Sequence, residues 1–532
     1  MQGRPLLPQL HQPLRTALPP TFLAALLALG CTATTPPSEQ AATPPASLPT
    51  ASAPRPRATP EQTSPTQGAP RAERPNVVLM LADNVGYGDI GAFQGGEIRG
   101  MPTPNIDRLA SEGLELTQFL TEPGCTPTRA ALMTGRHAHR SGLGTIIVGG
   151  TPNTLQDEEV TLAEIFKRKG YATAMTGKWH LGSEEQSWPV RQGFDEYRVG
   201  VLETSDSTLY RPNMERAGLP EEAIAPATPG IWEGDAKHGL KRVREYDLEY
   251  RRQVEGDIAK ASVDFIQRYA EQDQPFFLYV GWTHTHYPSR SAPEFTGKSV
   301  AGPYGDAIME LDFRTGEVLQ AIEEAGIADD TIVLWLSDDG AAPMQGPPAD
   351  WGGSNGIYSG ELGDGREGAL RSPAMIRWPG QIAPGKSDGM ISVHDIFPTL
   401  AALIGEAAPN DRPIDGIDQS AWFLGNQPDS ARESLLTFLG TEIVAFRWRH
   451  FRMYPSAFVE TPGTPNTSGL MGARLRSNGF PLIYNIKKDP REQTQITADN
   501  AWLLHPYLQA VAAYKETLKK YPNPPPVSLV EF

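Results

Sequence analysis

Apolar residues in this chain gather into short solid runs, and segments of helical periodicity separate the runs. Asn76-Val77-Val78-Leu79-Met80-Leu81-Ala82 has no polar alternation, as expected of a strand buried on both faces, and it runs straight into Asp83-Asn84. Ile106 to Leu114 suits a short helix, followed by a loop around Cys125 and a helix from about Thr128. Leu162 to Lys169 is amphipathic and closes at Gly170; Tyr171 to Thr176 then predicts a strand leading into Gly177-Lys178-Trp179-His180. Pro275 to Trp282 and Thr331 to Ser337 are two more apolar strands, ending at His284-Thr285-His286-Tyr287-Pro288 and at Asp338-Asp339-Gly340. Strands alternating with helices predict an α/β fold with a mostly parallel central sheet flanked by helices. From about Arg432 the pattern changes to strands at Ser434 to Leu439 and Glu442 to Trp448, with a closing helix from Ala501 to Lys520. That predicts a smaller C-terminal α/β lobe. The resulting division is a main domain over 75–431 and a subdomain over 432–532.

The first 74 residues follow neither pattern. Arg4 and Arg15 precede Phe22-Leu23-Ala24-Ala25-Leu26-Leu27-Ala28-Leu29-Gly30-Cys31, a basic region, a short apolar run and a small residue before the cut. Residues 1–31 therefore read as a secretory signal, and Gly30-Cys31 gives it the form of a bacterial lipoprotein signal with Cys31 acylated. Ala28 departs from the leucine more usual three positions before such a cysteine. Residues 32–74 are Pro, Ala, Thr, Ser and Gln with almost no large apolar side chains, so they predict a flexible tether rather than a core. The expectation is an exported protein, held in the periplasm or on the outer membrane by a lipid anchor. Between about Thr208 and Arg244 lies an insertion rich in Pro and Gly, placed either at the mouth of a pocket or on the surface.

Composition removes some function classes. The 532 residues carry 47 basic and 63 acidic side chains, a formal net charge of -16, which argues against nucleic acid as a partner. An anionic substrate must then be drawn by a local positive pocket. Two cysteines make no disulfide framework, and with Cys31 assigned to a lipid, Cys125 has no partner.

Each central strand ends in residues that bind metal, bind anions or move protons. Ligands in open α/β sheets bind beyond the carboxyl ends of the strands, so separate segments point at one site. Polar residues also end strands simply because loops are polar, which accounts for one or two such cases but poorly for all of them together. Asp83, Asn84, Asp338 and Asp339 are oxygen donors without thiolate or imidazole, a set suited to a hard cation such as Ca²⁺, with Mg²⁺ second. Arg129, in the first turn of the helix expected after Cys125, would meet an anion at a helix start.

Gly124-Cys125-Thr126-Pro127-Thr128-Arg129 with Thr134-Gly135 resembles the modification motif of type I sulfatases. Gly177-Lys178-Trp179-His180-Leu181-Gly182, Thr103-Pro104-Asn105-Ile106-Asp107-Arg108-Leu109-Ala110, Gly193-Phe194-Asp195-Glu196-Tyr197 and Tyr484 to Glu492 match further segments of that family, over roughly residues 75–500. The resemblance implies an alkaline-phosphatase-like fold and sulfate-ester hydrolysis, with aryl, sugar and alkyl esters all open. It implies that a maturation enzyme oxidises Cys125 to formylglycine (3-oxoalanine), whose hydrate attacks sulfur, and that Asp83, Asn84, Asp338, Asp339 and the residue at 125 hold Ca²⁺. The family pattern gives Lys178 a sulfate contact, His180 a role beside the formylglycine hydroxyl and His286 the leaving-group oxygen. The family order is Asp-Asp on the first strand and Asp-Asn on the later one; here the order is exchanged, which keeps three carboxylates and one amide.

One family feature is missing. Aligning Arg366-Glu367-Gly368-Ala369-Leu370-Arg371-Ser372-Pro373 puts Leu362 where a second sulfate-binding lysine belongs, and no lysine occurs between Lys298 and Lys386. Losing one charge-assisted contact weakens anion binding by roughly 1.5–3 kcal/mol. Arg366 is the nearest replacement in sequence. Thr204 and Ser205 are candidate sulfate contacts, His284 a supporting residue, and His137 and His139 structural. Two other functions fit the same residues: hydrolysis of phosphodiesters or phosphonate monoesters, and a catalytically silent, membrane-tethered binding protein.

Overall fold

The structure, a computed structural model, describes residues 74–342, 352–459 and 474–525. The signal, Cys31 and nearly all of the tether expected from the sequence lie outside the described residues. Ten strands form the central sheet: β1 Asn76–Ala82, β2 Leu114–Leu120, β3 Ala172–Lys178, β4 Glu196–Val201, β5 Gly230–Asp235, β6 Gly239–Glu245, β7 Phe276–Gly281, β8 Thr331–Ser337, β9 Ala374–Arg377 and β10 Gly385–Ser392, in the order β10-β2-β9-β8-β1-β7-β3-β4-β5-β6. The middle of the sheet, β8-β1-β7-β3-β4, is parallel throughout. The sheet as a whole is mixed, because β9 pairs antiparallel with both neighbours and the β5–β6 hairpin adds an antiparallel edge. That hairpin comes from the insertion, which also folds two short helices, Tyr210–Arg216 and Glu221–Ala227.

The solid apolar runs are explained by what each face meets. Val77, Leu79 and Leu81 join one core with Leu132, Phe166 and Phe397, while Val78, Met80 and Ala82 join a second core with Ile258, Leu311 and Ile308. Alternate residues of β1 thus bury against helices on opposite faces, and each position must be apolar. Helix α2, Cys125–Thr134, and helix α3, Leu162–Arg168, lie on the first face; α1, Pro104–Glu112, lies on the second with the helices Val254–Ala270 and Pro303–Glu324.

Several boundaries differ from the expectation by one to three residues, two of them at α1 and α2. Helix α1 ends at Glu112, and Leu114 already belongs to β2. Helix α2 begins at Cys125 rather than near Thr128, because Pro127 falls in the first turn, where the missing N–H costs no hydrogen bond. The C-terminal strands β11 Ser434–Leu439, β12 Glu442–Trp448, β13 Phe451–Val459 and β14 Arg474–Asn485 form a separate antiparallel sheet over the helix Leu504–Lys520. His139, in the short turn Ala138–Ser141 after α2, ties that helix to the main domain, its Nε2 lying 2.7 Å from the Tyr514 hydroxyl. No helix among the described residues is long and apolar enough to cross a membrane.

Candidate active site

The parallel register brings the strand ends together. Ala82 of β1 pairs with Ser337 of β8, so Asp83 and Asp338 are the first residues beyond the same edge. Asp338 N–H donates to Ala82 O at 3.0 Å, and Asn84 N–H donates to Asp338 Oδ1 at 2.9 Å. Lys178, the last residue of β3, reaches across β7 to Asp83, with Nζ 2.8 and 2.7 Å from its two carboxylate oxygens. Gly177 permits this approach: a Cβ there would lie 2.0 Å from Gly281 O on the neighbouring strand.

Helix α2 supplies the other half. Cys125 is its first residue, and Arg129 lies one turn on along the same face. The Arg129 guanidinium donates to Asp338 Oδ2 from Nε at 3.1 Å and from Nη2 at 2.7 Å, and to Lys178 O from Nη1 at 3.0 Å. One buried arginine therefore locks α2, which begins at Cys125, onto the ends of β8 and β3. Burial pushes the Cys125 thiol up, opposed by Lys178 and reinforced by Asp338, Asp339 and Asp83. The encoded side chain is thus a neutral thiol among three carboxylates, a poor thiolate nucleophile.

Among the described residues, both Asp339 carboxylate oxygens are buried without a hydrogen-bond partner, and so is the Asn84 side-chain amide. Burial, then Asp338 and Asp83, hold the Asp339 carboxyl well above the usual range. A buried carboxylate in this state is costly unless a cation meets it. The residues present fit a hard divalent ion: three carboxylates and one amide, converging from two strand ends.

Six described non-glycine residues adopt the left-handed backbone region that such residues seldom occupy, and two of them are site residues: Asn84 and His180, each with φ 60°. The turn at His180 aims its Nε2–H at Ile147 O, 2.9 Å away, and leaves Nδ1 buried without a partner. Burial and Lys178 hold this imidazole well below its ordinary value, so it is neutral with a free lone pair. His286 donates from Nδ1 to Tyr287 O at 2.8 Å, which leaves Nε2 to accept from the Thr204 hydroxyl at 2.9 Å. Burial, then Lys178, push His286 down to about 4.

The Sulfatase family model matches residues 75–406. Human arylsulfatase A is 35% identical, the match covering 83% of this chain and 87% of that protein. The steryl-sulfatase of Rattus norvegicus is 32% identical over 84% of this chain and 90% of its own length. The chain belongs to the sulfatase family. Among solved structures, the PsFucS1 sulfatase from Pseudoalteromonas sp. superposes with a TM-score of 0.77 at 30% identity, covering 85% of this chain and 92% of that one. As a sulfatase it is a sulfuric ester hydrolase, an alkaline-phosphatase-superfamily α/β protein with a second antiparallel sheet.

The fold of this sulfatase gathers Asp83, Asn84, Arg129, Lys178, Asp338 and Asp339 around Cys125, and it holds His180 and His286 at the ends of β3 and β7. The candidate hydroxyl at the site is Thr204; Ser205 turns away toward Tyr246 and Thr283, with both contacts at 3.4 Å. His284 lies behind, its Nδ1 3.0 Å from Glu310 Oε2. Leu362 is buried, with its N–H on Ala341 O, two residues past Asp339. Arg366 lines a different cavity, beside Tyr484, Arg491 and Glu492. Sequence reasoning did not find Tyr279, whose hydroxyl sits 3.4 Å from Arg129 Nη1, or Thr285, which donates to Asp83 O at 2.6 Å. A tyrosine inside an apolar strand was the only available signal for the first.

Proposed function

We propose that this sulfatase hydrolyses sulfate esters of small molecules or glycans through formylglycine formed at Cys125, with a hard divalent cation, Ca²⁺ before Mg²⁺, beside it. The observation that carries the reading is the residue at 125, buried at a helix start among Lys178, Asp83, Asp338 and Asp339. Formylglycine, made by a dedicated maturation enzyme, supplies an oxygen nucleophile where the encoded thiol supplies none. The cation, held by Asp83, Asn84, Asp338, Asp339 and the residue at 125, supplies positive charge against the sulfate oxygens.

This chain's own residues do the rest. Lys178 and Arg129 offset charge on the transferring group and fix its position. His180 takes a proton at its unpartnered Nδ1 from the hydroxyl at position 125. His286 would serve the departing alcohol or phenol oxygen as the imidazolium: beside the bound anion its Nε2 takes up a proton in place of the hydrogen bond from Thr204 and passes it to that oxygen. Export on a lipid at Cys31 belongs to the same reading and is supported by the sequence of residues 1–74.

The test is the mass of the Cys125 peptide after coexpression with a maturation enzyme, together with turnover of matched sulfate, phosphodiester and phosphonate esters. Oxidised peptide, turnover of the sulfate ester above all, and loss of that turnover in Cys125→Ala are expected. Unmodified Cys125 in an active preparation, or preferred cleavage of either phosphorus ester, would sink the assignment.

A further inference from the structure

Behind the nucleophile helix three buried side chains meet with nothing yet to do. Glu122 lies in the turn between β2 and α2, His137 just after α2, and His394 in the first turn of the helix Val393–Leu403. Glu122 Oε1 is 3.0 Å from His137 Nδ1 and 2.9 Å from His394 Nε2, and the three donor atoms all lie within 4.8 Å of one another. The three side chains are 4%, 7% and 1% exposed, so solvent does not solvate the carboxylate.

The charge at Glu122 is otherwise unmatched. Other buried or half-buried carboxylates each hold an arginine: Asp415 holds Arg140, Asp395 holds Arg432, and Glu367 holds Arg447. Among the described residues, the ion-pair partners of Glu122 are these two imidazoles alone. Burial, then Arg432, push His394 down to about 4, so that ring is neutral at physiological pH and offers a lone pair rather than a charge. Burial correspondingly raises the Glu122 carboxyl.

We propose that Glu122, His137 and His394 form a second metal site, distinct from the oxygen-lined site at Asp83 and Asp339, that binds zinc through two imidazole nitrogens and one carboxylate oxygen. Zinc with such ligands sits about 2.0–2.1 Å from each, and a tetrahedral arrangement then separates donors by roughly 3.3 Å. The two spacings to Glu122 need open by only a few tenths of an ångström, and the two imidazole nitrogens already lie within 4.8 Å of each other. Two histidines and a carboxylate leave a fourth position for water, and the donor set suits a borderline ion far better than Ca²⁺. The outer contact needed to orient a ligating histidine is present: His394 Nδ1 lies 2.7 Å from Ser392 Oγ, which can accept Nδ1–H while Nε2 faces the metal.

The site has a structural consequence for catalysis. Thr128 Oγ1 accepts from Glu122 N–H at 3.0 Å and lies 3.1 Å from Glu122 O, so Glu122 is bound to the first turn of α2, next to Arg129. A metal there joins the nucleophile turn to the helix Val393–Leu403 and holds Cys125 and Arg129 in register.

Cobalt titration tests this on the tag-free whole protein, stripped by chelator and then saturated with Ca²⁺ to fill the oxygen site. One equivalent of Co²⁺ is expected to give the intense visible absorption of a four-coordinate centre, displaced by one equivalent of Zn²⁺. The band should be absent in His137→Ala and His394→Ala and unchanged in Asp339→Asn and Cys125→Ala. Glu122→Gln, which keeps the size of the side chain and one acceptor, should weaken Zn²⁺ binding about 10–100-fold. No band from the wild-type protein at excess Co²⁺ overturns the proposal whatever the variants do. So does a band that survives both histidine replacements, or one lost in Cys125→Ala.

Discussion

Lys178 Nζ bridges both carboxylate oxygens of Asp83, at 2.8 and 2.7 Å, in a pocket where neither side chain reaches solvent. The pair joins β3 to β1 across the intervening β7, and it sets the charge that an arriving sulfate meets. Removing one member of a buried ion pair strands the other. Lys178→Met should lower stability by about 3–5 kcal/mol in metal-free protein and abolish sulfate-ester turnover, with Ca²⁺ recovering much of the stability and none of the activity. Chemical unfolding with and without Ca²⁺ checks it; unchanged stability would remove the pair from the account.

Asp339 gives a prediction of opposite sign. Its unpartnered carboxylate is a liability without a cation. Thermal unfolding should show Asp339→Asn more stable than wild type in chelator, and less stabilised by Ca²⁺. An equal Ca²⁺ increment in both proteins would place the ion elsewhere.

His286 links pH to both stability and chemistry. The folded protein holds it at about 4 against an ordinary 6.5, so folding favours the neutral ring. That contribution is complete above pH 6.5 and is lost as pH falls through about 4, because the unfolded chain takes up the proton first. His286→Gln should therefore flatten the decline in melting temperature across that window. In its proposed role as proton donor to the leaving group, the same residue matters most for poor leaving groups. In His286→Gln, kcat should fall by about 10²–10⁴ for an alkyl sulfate and far less for a nitrophenyl sulfate. Equal losses for both esters would assign the proton to another group.

Leu362 stands where the resemblance to the sulfatase pattern places a lysine, and it is 6% exposed, in a loop hydrogen-bonded to Ala341. Leu362→Lys should tighten competitive inhibition by inorganic sulfate about tenfold or more, the equivalent of a regained charge-assisted contact of roughly 1.5–3 kcal/mol. Unchanged inhibition in a folded variant would show that the side chain at 362 does not reach the anion.

The sequence alone determined the central strands and named most of the candidate site residues. β1, β8, β11 and β12 have the limits that their apolar runs predict; in β1 and β8 the interior is covered on both faces and carries no polar residue. The candidate metal and anion residues were legible for the same reason: they begin where burial between helices ends. The first turn of α2 was not legible, because a proline reads as a break until the geometry shows it at a helix start. Nor were the antiparallel β9 and the insertion hairpin, whose pairing depends on partners distant in the chain. Tertiary structure alone decided that Arg129 bonds Asp338, 209 residues away, that Asn84 and His180 take left-handed turns to face the site, and that His394 meets Glu122 across 272 residues. Local periodicity records which face is buried; it carries no information about which distant side chain meets it there.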